Sequence, residues 1–329
     1  MGPAPAVAAV RSAVRSATSP GPVLVACSGG ADSLALAAAT AFEAARSGLR
    51  AGLITVDHGL QPDSADQAAR VAALGYELGL DPVEVVRVEV GTRGGPEAAA
   101  RTARYAALDA AAAALGARIL LGHTLDDQAE TVLLGLGRGS GPRSIVGMAA
   151  VERHYVRPFL GLRRATTQAA CLALGLPAWT DPHNSDPAFR RVRLRGEVLP
   201  LLEDVLQGGV AEALARTADL LRDDLAALDT EAERVLQAAL ISRPADRNRL
   251  ELDIACVANL PRALRTRVLR AWATGAGAAP LTAERTAALD ALVTDWHGQG
   301  PVDLPGGVGV YRRSGTLVVY PNPSRAAQE

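Results

Sequence analysis

The sequence predicts an α/β protein in which a parallel-sheet domain precedes a smaller, mainly helical domain that ends in a β-hairpin. Over roughly the first 150 residues, short runs of β-forming residues alternate with long helical stretches. This alternation is typical of βαβ units and of a parallel sheet covered on both faces. From about residue 205 to residue 293 the pattern is helical and rich in Ala, Leu and Arg. The last apolar stretch alternates as a hairpin does.

The first domain is predicted to contain four strands, with helices between and after them. The strands are PVLVAC, AGLITVDH, VEVVRVEV and ARILLGH. The helices are DSLALAAATAFEAARSG, SADQAARVAALGYELG, PEAAARTARYAALDAAAAALG and LDDQAETVLLGLGRG, and several end in Gly, a common helix stop. A short amphipathic helix is expected before the first strand. Since ligands bind at the carboxyl ends of parallel strands, we expect the motifs after strands one, two and four to lie together.

The second domain is predicted to begin near Gly208-Gly209, which gives a catalytic domain over residues 1–207 and a second domain over residues 208–329. The segment DPHNSDPAFRRVRLRGEVLPLL, near the end of the first domain, is polar, is interrupted by Pro and leads into a helix. The final stretch, VDLPGGVGVYRRSGTLVVY, combines alternation with Gly-rich turns and therefore predicts the hairpin.

Composition excludes several classes of protein. The chain has 329 residues, of which 49% are hydrophobic and 21% charged, and this is ordinary globular composition. No apolar run has the length of a membrane span, and arginines interrupt the apolar N-terminus, so neither a membrane protein nor a secretory signal is predicted. The three cysteines, Cys27, Cys171 and Cys256, are dispersed and form no C-x-x-C. We therefore expect no zinc or iron–sulfur site and a reducing, cytoplasmic location.

Charge is distributed unevenly along the chain. The formal net charge of −1 argues against indiscriminate nucleic-acid binding. Between Arg153 and Arg195, however, there are eight arginines and only two acidic residues, Asp181 and Asp186. A basic stripe on a near-neutral protein is expected where a phosphate backbone is bound locally. The alternative is a solvated face with scattered ion pairs.

The stretch VLVACSGGADSLALAAA places two glycines and two hydroxyl groups where a strand passes into a helix. It lacks the Gly-Lys-Ser/Thr ending of a Walker A loop and is not G-x-G-x-x-G. The order strand, S-G-G-x-D-S, helix resembles the PP-loop of the ATP-pyrophosphatases. In that interpretation Gly29 and Gly30 let the backbone approach a pyrophosphate, Ser28 and Ser33 donate hydrogen bonds to it, and Asp32 holds Mg²⁺. The alternative is a capped helix start after a glycine turn.

A second group of polar residues lies in LLGHTLDDQAETVLLGLGRGSG. Asp127 and Glu130 are three residues apart, so both carboxylates lie on one face of a helix's first turns. Such a pair suits an ammonium ligand, and one member could accept its proton. Thr124 and Asp127 also fit a capping box, which would assign that carboxylate to backbone N–H groups. His123 fits a phosphate contact and a core or capping histidine equally.

Taken together, six segments resemble the tRNA(Ile)-lysidine synthetase family. They are the S-G-G-x-D-S loop, VDHGL, EAAARTARY, GHTLDDQAETVLLGLGRGSG, RPFLGLRR and DPHNSDPAFRRVRLRGEVLPLL, over roughly residues 22–206. The resemblance implies a PP-loop fold and an ATP-dependent carbon–nitrogen ligase. Such an enzyme adenylates the wobble cytidine of a tRNA(Ile) with a CAU anticodon, and free L-lysine then displaces AMP. The product, lysidine, changes decoding from AUG to AUA.

The resemblance also assigns roles to individual residues. It implies that Arg104 contacts the activated cytidine, that Asp127 and Glu130 receive the lysine ammonium, and that Asp32 lies near the magnesium pyrophosphate. ATP would be bound by Ser28, Gly29, Gly30, Ala31, Asp32, Ser33 and His123. The tRNA phosphates would be bound by Arg190, Arg191, Arg193 and Arg195.

One departure from the family pattern and three alternatives accompany this interpretation. Many relatives have a second His where this sequence has Thr124. The alternatives are a thiolase-type PP-loop tRNA modifier, a tRNA-binding protein with an inactive PP-loop, and a PP-loop synthetase that amidates a small molecule. The dispersed cysteines disfavour the first, the complete loop disfavours the second, and the Arg-rich segment disfavours the third. We expect a homodimer.

Overall fold

The computed structural model forms two compact units, residues 1–219 and 220–329. The division falls within a long helix, twelve residues after the boundary that the sequence predicts at 207/208. Each unit is described by itself. The described residues are 2–59, 61, 63–91, 95–139, 141–179, 186–241 and 250–322.

The first unit is built on a six-stranded, mostly parallel sheet. Its strands are β1 (Val23–Ala26), β2 (Ala51–Asp57), β3 (Val83–Arg87), β4 (Arg118–Leu121), β5 (Val151–Glu152) and β6 (Tyr155–Val156). Their order is β3-β2-β1-β4-β6-β5, and only β5 is antiparallel to its neighbour. The chain moves outward from β1 to β2 and β3 before β4 pairs on the other side of β1. Ligands of open α/β sheets bind at such a switch point, beyond the carboxyl ends of the strands.

Helices cover both faces of this sheet, as predicted. They are α1 (Pro5–Ala17), α2 (Ala31–Ser47), α3 (Ser64–Glu77), α4 (Pro96–Leu115), α5 (Leu125–Leu136) and α6 (Arg164–Ala173). Successive residues of β1 point to opposite faces: Val23 and Val25 pack in the core that includes α1, α2 and α6, whereas Leu24 packs in the core that includes α4. The four strands and four helices predicted for this region are confirmed. The β5–β6 hairpin and α6 were not predicted.

The Arg-rich segment continues into three consecutive helical pieces. These are α7 (Arg190–Arg193), one wider π-helical turn over Leu194–Val198, and α8 (Leu199–Val205). Leu199 of α8 packs against Leu125 and Ala129 of α5. This contact brings the arginines before α8 close to the helix that carries Asp127 and Glu130.

The second unit combines helices with an antiparallel sheet. The helices are α9 (Val210–Ala239), which begins in the first unit, α10 (Arg262–Gly275) and α11 (Ala283–Thr294). The strands are β7 (Leu240–Ile241), β8 (Glu251–Asp253), β9 (Val302–Leu304), β10 (Val308–Arg313) and β11 (Thr316–Pro321), in the order β7-β8-β11-β10-β9. The predicted hairpin is confirmed as β10–β11, and three further strands extend it. Trp272 of α10 is fully buried in this unit's core.

Within the described residues, no helix is both long enough and apolar enough to cross a membrane.

Candidate active site

The loop between β1 and α2 leaves the first turn of α2 without a side-chain cap. Gly30 is the cap residue, and no side chain among the described residues accepts a hydrogen bond from the helix's first N–H groups. The Ser33 hydroxyl instead donates to the Gly30 carbonyl at 2.9 Å and accepts from the Ser28 N–H at 3.2 Å. The uncapped N–H groups and the helix dipole together favour an anion at this position. This arrangement disfavours the simple capping alternative.

The two adjacent glycines of the loop are required for different reasons. Gly29 has φ +86°, in the left-handed region that favours glycine, and a Cβ there would also lie 2.9 Å from the Cγ2 atom of Val71, so the folded chain itself favours glycine. Gly30 has an ordinary φ of −74°, and a Cβ would meet only the Ser28 hydroxyl, at 3.7 Å. The fold leaves space for a side chain at Gly30. Its glycine is explained by a ligand that approaches the backbone closely.

Asp32 lies in the first turn of α2, at the carboxyl end of β1. Its carboxylate accepts a hydrogen bond from the Thr167 hydroxyl, and the Arg164 Nε atom lies 3.7 Å from it. Burial raises the pKa of Asp32 above its ordinary value, although Thr167 and Arg164 oppose that effect. A single carboxylate beside a phosphate-binding loop fits Mg²⁺, which is usually held by one or two carboxylates together with substrate phosphates. Among the described residues no larger cluster of metal-binding side chains occurs.

At the start of α5, the Asp127 carboxylate both caps the helix and pairs with a cationic side chain of the protein. One carboxylate oxygen accepts from the N–H and hydroxyl of Thr124 at 2.8 and 2.7 Å, completing the capping box. The other oxygen lies 2.6 Å from a guanidinium nitrogen of Arg164. Burial acts to raise the pKa of Asp127, but Arg164 and the bonds from Thr124 outweigh it and hold that pKa below its ordinary value. The two interpretations of Asp127 are therefore compatible.

Glu130 lies one turn further along α5 and is fully buried. Arg195 contacts it through Nε at 2.8 Å, and both terminal nitrogens of Arg164 lie within 3.4 Å of the same oxygen. A buried carboxylate needs such partners, because removing it from water without one costs several kcal/mol. The predicted ammonium site is thus occupied by two guanidinium groups of the protein itself. We call Asp32, Asp127, Glu130, Arg164 and Arg195 the acidic cluster.

Arg164 is a residue of the candidate site that sequence reasoning missed. It was one of eight arginines in a basic stripe, yet it contacts all three carboxylates of the acidic cluster. Asp126 fixes its position by accepting a hydrogen bond from the Arg164 N–H at 2.7 Å, at the start of α6. These carboxylates outweigh burial and raise the pKa of Arg164. Thr167, one turn later on α6, was missed in the same way.

Three arginines elsewhere in the cleft have no such counter-charges. Arg104 and Arg101 lie on α4 and Arg191 on α7, and no described carboxylate is within ion-pair distance of them. Burial lowers the pKa of Arg104, and the positive charges of Arg101 and Arg191 lower it further. We call these three residues the basic cluster. Uncompensated guanidinium groups at this spacing are suited to an anionic or carbonyl-bearing ligand.

Two histidines carry buried nitrogen atoms without partners. His58 follows β2 and His123 follows β4, and the Nδ1 atom of each is buried with no hydrogen-bond partner in the described structure. Burial lowers the pKa of His58 and lowers the pKa of His123 to about 4, so both rings are neutral at pH 7. Buried polar atoms are normally satisfied, and a polar ligand in the cleft would satisfy these two.

These groups line one cleft with a volume of about 770 Å³ at the carboxyl edge of the sheet. Its lining includes the loop residues Ser28 to Ser33 except Gly29, together with Arg104, His123, Asp127, Arg191 and Arg195. Gly29 contributes its carbonyl, which accepts from the Trp179 N–H at 2.9 Å. Glu130 lies behind Asp127. Arg190 is exposed, and Arg193 is exposed and pairs with Glu197 at 2.9 Å.

Comparison with known proteins agrees with this geometry. Residues 7–202 match the family described as a PP-loop domain, and residues 252–318 match the TilS substrate binding domain. In the solved structure of the U34-tRNA thiolase NcsA from Methanococcus maripaludis, with its [4Fe-4S] cluster, 78% of the chain aligns with 66% of this one. The TM-score is 0.55 and the identity 18%, a level of similarity that concerns the fold alone.

Two relatives are similar over nearly their whole length. The tRNA(Ile)-lysidine synthase of Thermobifida fusca is 57% identical over 97% of this chain and 98% of its own. The tRNA(Ile)-lysidine synthase of Leifsonia xyli is 56% identical over 91% of this chain and 90% of its own. The predicted PP-loop fold, the ATP-dependent ligase class and the family are confirmed, and the three alternatives are set aside. The chain belongs to the tRNA(Ile)-lysidine synthase family.

Proposed function

We propose that this chain adenylates the wobble cytidine of a tRNA(Ile) with a CAU anticodon and then joins L-lysine to it, releasing pyrophosphate and AMP. One observation carries the proposal: Asp127, which is next to the buried Glu130 on α5, lines the same cleft as the loop between β1 and α2. Arg164 contacts both Asp32, at the loop, and Asp127, in the pair. An amine bound there would lie beside the ester that ATP creates.

ATP would be bound by the loop from Ser28 to Ser33. The uncapped N–H groups of α2 suit its phosphates, and the open space at Gly30 lets them approach the backbone. His123 is neutral and offers a buried, unpartnered Nδ1 atom. Asp32 is the carboxylate that would hold Mg²⁺, which when bound neutralises charge on the pyrophosphate leaving group.

The cytidine would be held by Arg104. Its C2 oxygen attacks the α-phosphate of ATP, the bond from that phosphorus to the pyrophosphate oxygen breaks, and the base becomes an adenylated ester. Arg104 is half-buried, positively charged and without a described carboxylate within ion-pair distance, so it can stabilise negative charge near that oxygen. His58 lies in the same cleft and offers a second unpartnered nitrogen atom.

Lysine would bind where arginine side chains now lie. Its side-chain ammonium would replace a guanidinium group at Asp127 and Glu130, and the amine must lose a proton before it attacks, since its free pKa is about 10.4. Because the pKa of Asp127 is low, that carboxylate is suited to hold the cation. We assign proton removal to Glu130. The nitrogen then bonds to C2 as the C2–O bond breaks and AMP leaves.

The proposal also covers the contacts with tRNA phosphate, the second domain and the oligomeric state. Arg190, Arg191, Arg193 and Arg195 would contact tRNA phosphate, with Arg195 also serving the acidic cluster. The second domain would bind tRNA, and the protein would act as a homodimer. All three cysteines are free thiols, which agrees with a cytoplasmic location.

Nucleoside mass analysis tests the proposal directly. The full-length protein would be incubated with ATP, Mg²⁺, L-lysine and a tRNA(Ile) transcript that has a CAU anticodon. We expect a cytidine heavier by one lysine residue, absent when either ATP or lysine is omitted. Unmodified cytidine in the complete reaction would overturn the proposal, and ATP consumption in that case would point to another acceptor or amine.

A further inference from the structure

A surface arginine beside the active site makes two contacts with one tyrosine. Arg101 is exposed and lines the cleft, yet its guanidinium carbon lies 4.8 Å from the centre of the Tyr105 ring. A terminal nitrogen of Arg101 also donates to the Tyr105 hydroxyl at 3.3 Å. A long exposed side chain loses conformational entropy when it is fixed in this way. The arrangement therefore calls for a functional explanation.

The aromatic ring beneath Arg101 is itself held in place. Tyr105 meets Tyr155 of β6 edge to face, with ring centres 5.2 Å apart, and the Tyr155 hydroxyl donates to Asp109. A chain of contacts thus runs from the sheet to the surface and ends in the flat guanidinium group of Arg101. The guanidinium carbon lies over the Tyr105 ring, and the Arg101 side chain remains exposed.

The position of Arg101 next to Arg104 indicates what the flat guanidinium group of Arg101 binds. The two residues are three apart on α4, so their side chains are neighbours on one face of the helix. Arg104 is the residue proposed to hold the reacting cytidine. The nucleotide next to that cytidine is covalently linked to it, so it must lie within about the length of one α-helical turn of it. Unpaired RNA bases are commonly bound by stacking on arginine and aromatic planes.

We propose that Arg101, supported by Tyr105, is a stacking platform for the anticodon base adjacent to the reacting cytidine. This inference rests on the proposed function and adds a positioning residue to it. Stacking would fix the neighbouring base and thereby orient the cytidine C2 oxygen toward ATP. It needs the plane of the guanidinium group and not only its charge, which separates it from a phosphate contact.

The test measures binding of a CAU anticodon stem-loop to the full-length protein, with wild type, Arg101→Ala and Arg101→Lys compared. We expect Arg101→Ala to weaken binding about tenfold, as loss of a base stack does. Lysine keeps the charge but not the plane, so Arg101→Lys should restore little. With a stem-loop that is abasic at the A following the cytidine, the one anticodon base adjacent to it, wild type and Arg101→Ala should bind equally.

Arg46→Ala is the matched control, because Arg46 is also exposed and lies over an aromatic ring, Phe42, at the far end of α2. Two results together would overturn the stacking proposal. Arg101→Lys would bind the stem-loop as tightly as wild type, and the salt dependence of binding by Arg101→Ala would be lower than that of wild type by about one phosphate contact. Wild-type binding by Arg101→Ala would overturn it too. Lysidine formation is measured with the same wild-type preparation. If no lysidine forms, the proposed function is contradicted. If lysidine forms and Arg101→Ala binds the stem-loop as wild type does, only the stacking proposal is contradicted.

Discussion

The acidic cluster and the basic cluster share one cleft but differ in how their charges are balanced. In the acidic cluster, Asp32, Asp127 and Glu130 are each contacted by Arg164, and Arg195 contacts two of them. In the basic cluster, Arg101, Arg104 and Arg191 have no described carboxylate within ion-pair distance. Every carboxylate of the acidic cluster thus has a guanidinium partner in the protein, whereas the described part of the chain offers the basic cluster no carboxylate partner. We infer that a cationic ligand must exchange with protein side chains, whereas an anionic ligand binds the basic cluster without displacing a carboxylate.

The largest effect is expected where the acidic cluster binds the incoming amine. Asp127→Asn keeps an oxygen for the cap but loses the charge that holds Arg164 and the ammonium. Truncating a buried charge pair costs about 2–5 kcal/mol, so lysidine formation at limiting lysine should fall about 10³-fold. Release of pyrophosphate on addition of tRNA should fall far less, because it precedes lysine attack. Both steps can be followed in one reaction.

Thr124→Ala is the matched control for Asp127→Asn. It removes the cap hydroxyl and leaves the Asp127 carboxylate charged, so the free energy of unfolding should drop by about 1 kcal/mol while lysidine formation stays near wild type. Equal losses of activity in both variants would contradict us. They would show that the cap geometry, and not the charge, is what the reaction needs.

Stability measurements test the charge balance itself. Arg164→Gln leaves three carboxylates with one counter-ion, and breaking a buried pair should lower the free energy of unfolding by about 3 kcal/mol. Arg104→Gln removes a half-buried cation that has no described carboxylate partner and should raise that free energy by about 1 kcal/mol, although activity with tRNA falls. Urea denaturation of the two variants compares the clusters directly. A loss of stability in Arg104→Gln would mean that the basic cluster is already balanced.

Sequence reasoning found what depends on local signals. The strands, the helices and the S-G-G-x-D-S loop follow from periodicity and turn chemistry, and the shared face of Asp127 and Glu130 follows from their spacing. The counter-ions could not be found in this way, because Arg164 and Arg195 are 34 and 65 residues from Glu130 in the chain. Nothing local distinguishes them from other arginines of the stripe. Strands β5 and β6 have two residues each, too few for a pattern to show.

Gly29 and Gly30, in the loop before Asp32 of the acidic cluster, allow a test of whether the ATP phosphates approach this backbone. Gly30→Ala fits the unliganded fold, so we expect unchanged or slightly higher stability but a KM for ATP raised at least about tenfold. Gly29→Ala is its counterpart: the positive φ and the contact with Val71 should lower stability by about 1 kcal/mol or more. Thermal denaturation and ATP kinetics on both variants separate the roles. An unchanged KM in Gly30→Ala would show that phosphate does not approach this backbone.

The smallest expected effect tests whether a protein side chain competes with lysine. Arg195 is partly exposed and contacts Glu130 at 2.8 Å, so its removal frees a carboxylate that the ammonium would use. Glu130 is buried and keeps Arg164 as a partner, while water screens the partly exposed Arg195 guanidinium, so its competition is worth at most about 1 kcal/mol and Arg195→Gln should lower the KM for lysine by roughly threefold. Arg193→Gln is the control, because Arg193 lies two residues away and pairs with Glu197, outside the acidic cluster. Its KM for lysine should not change. A higher KM for lysine in Arg195→Gln would instead show that Arg195 organises the carboxylate pair, and the acidic cluster would then bind the amine without exchange.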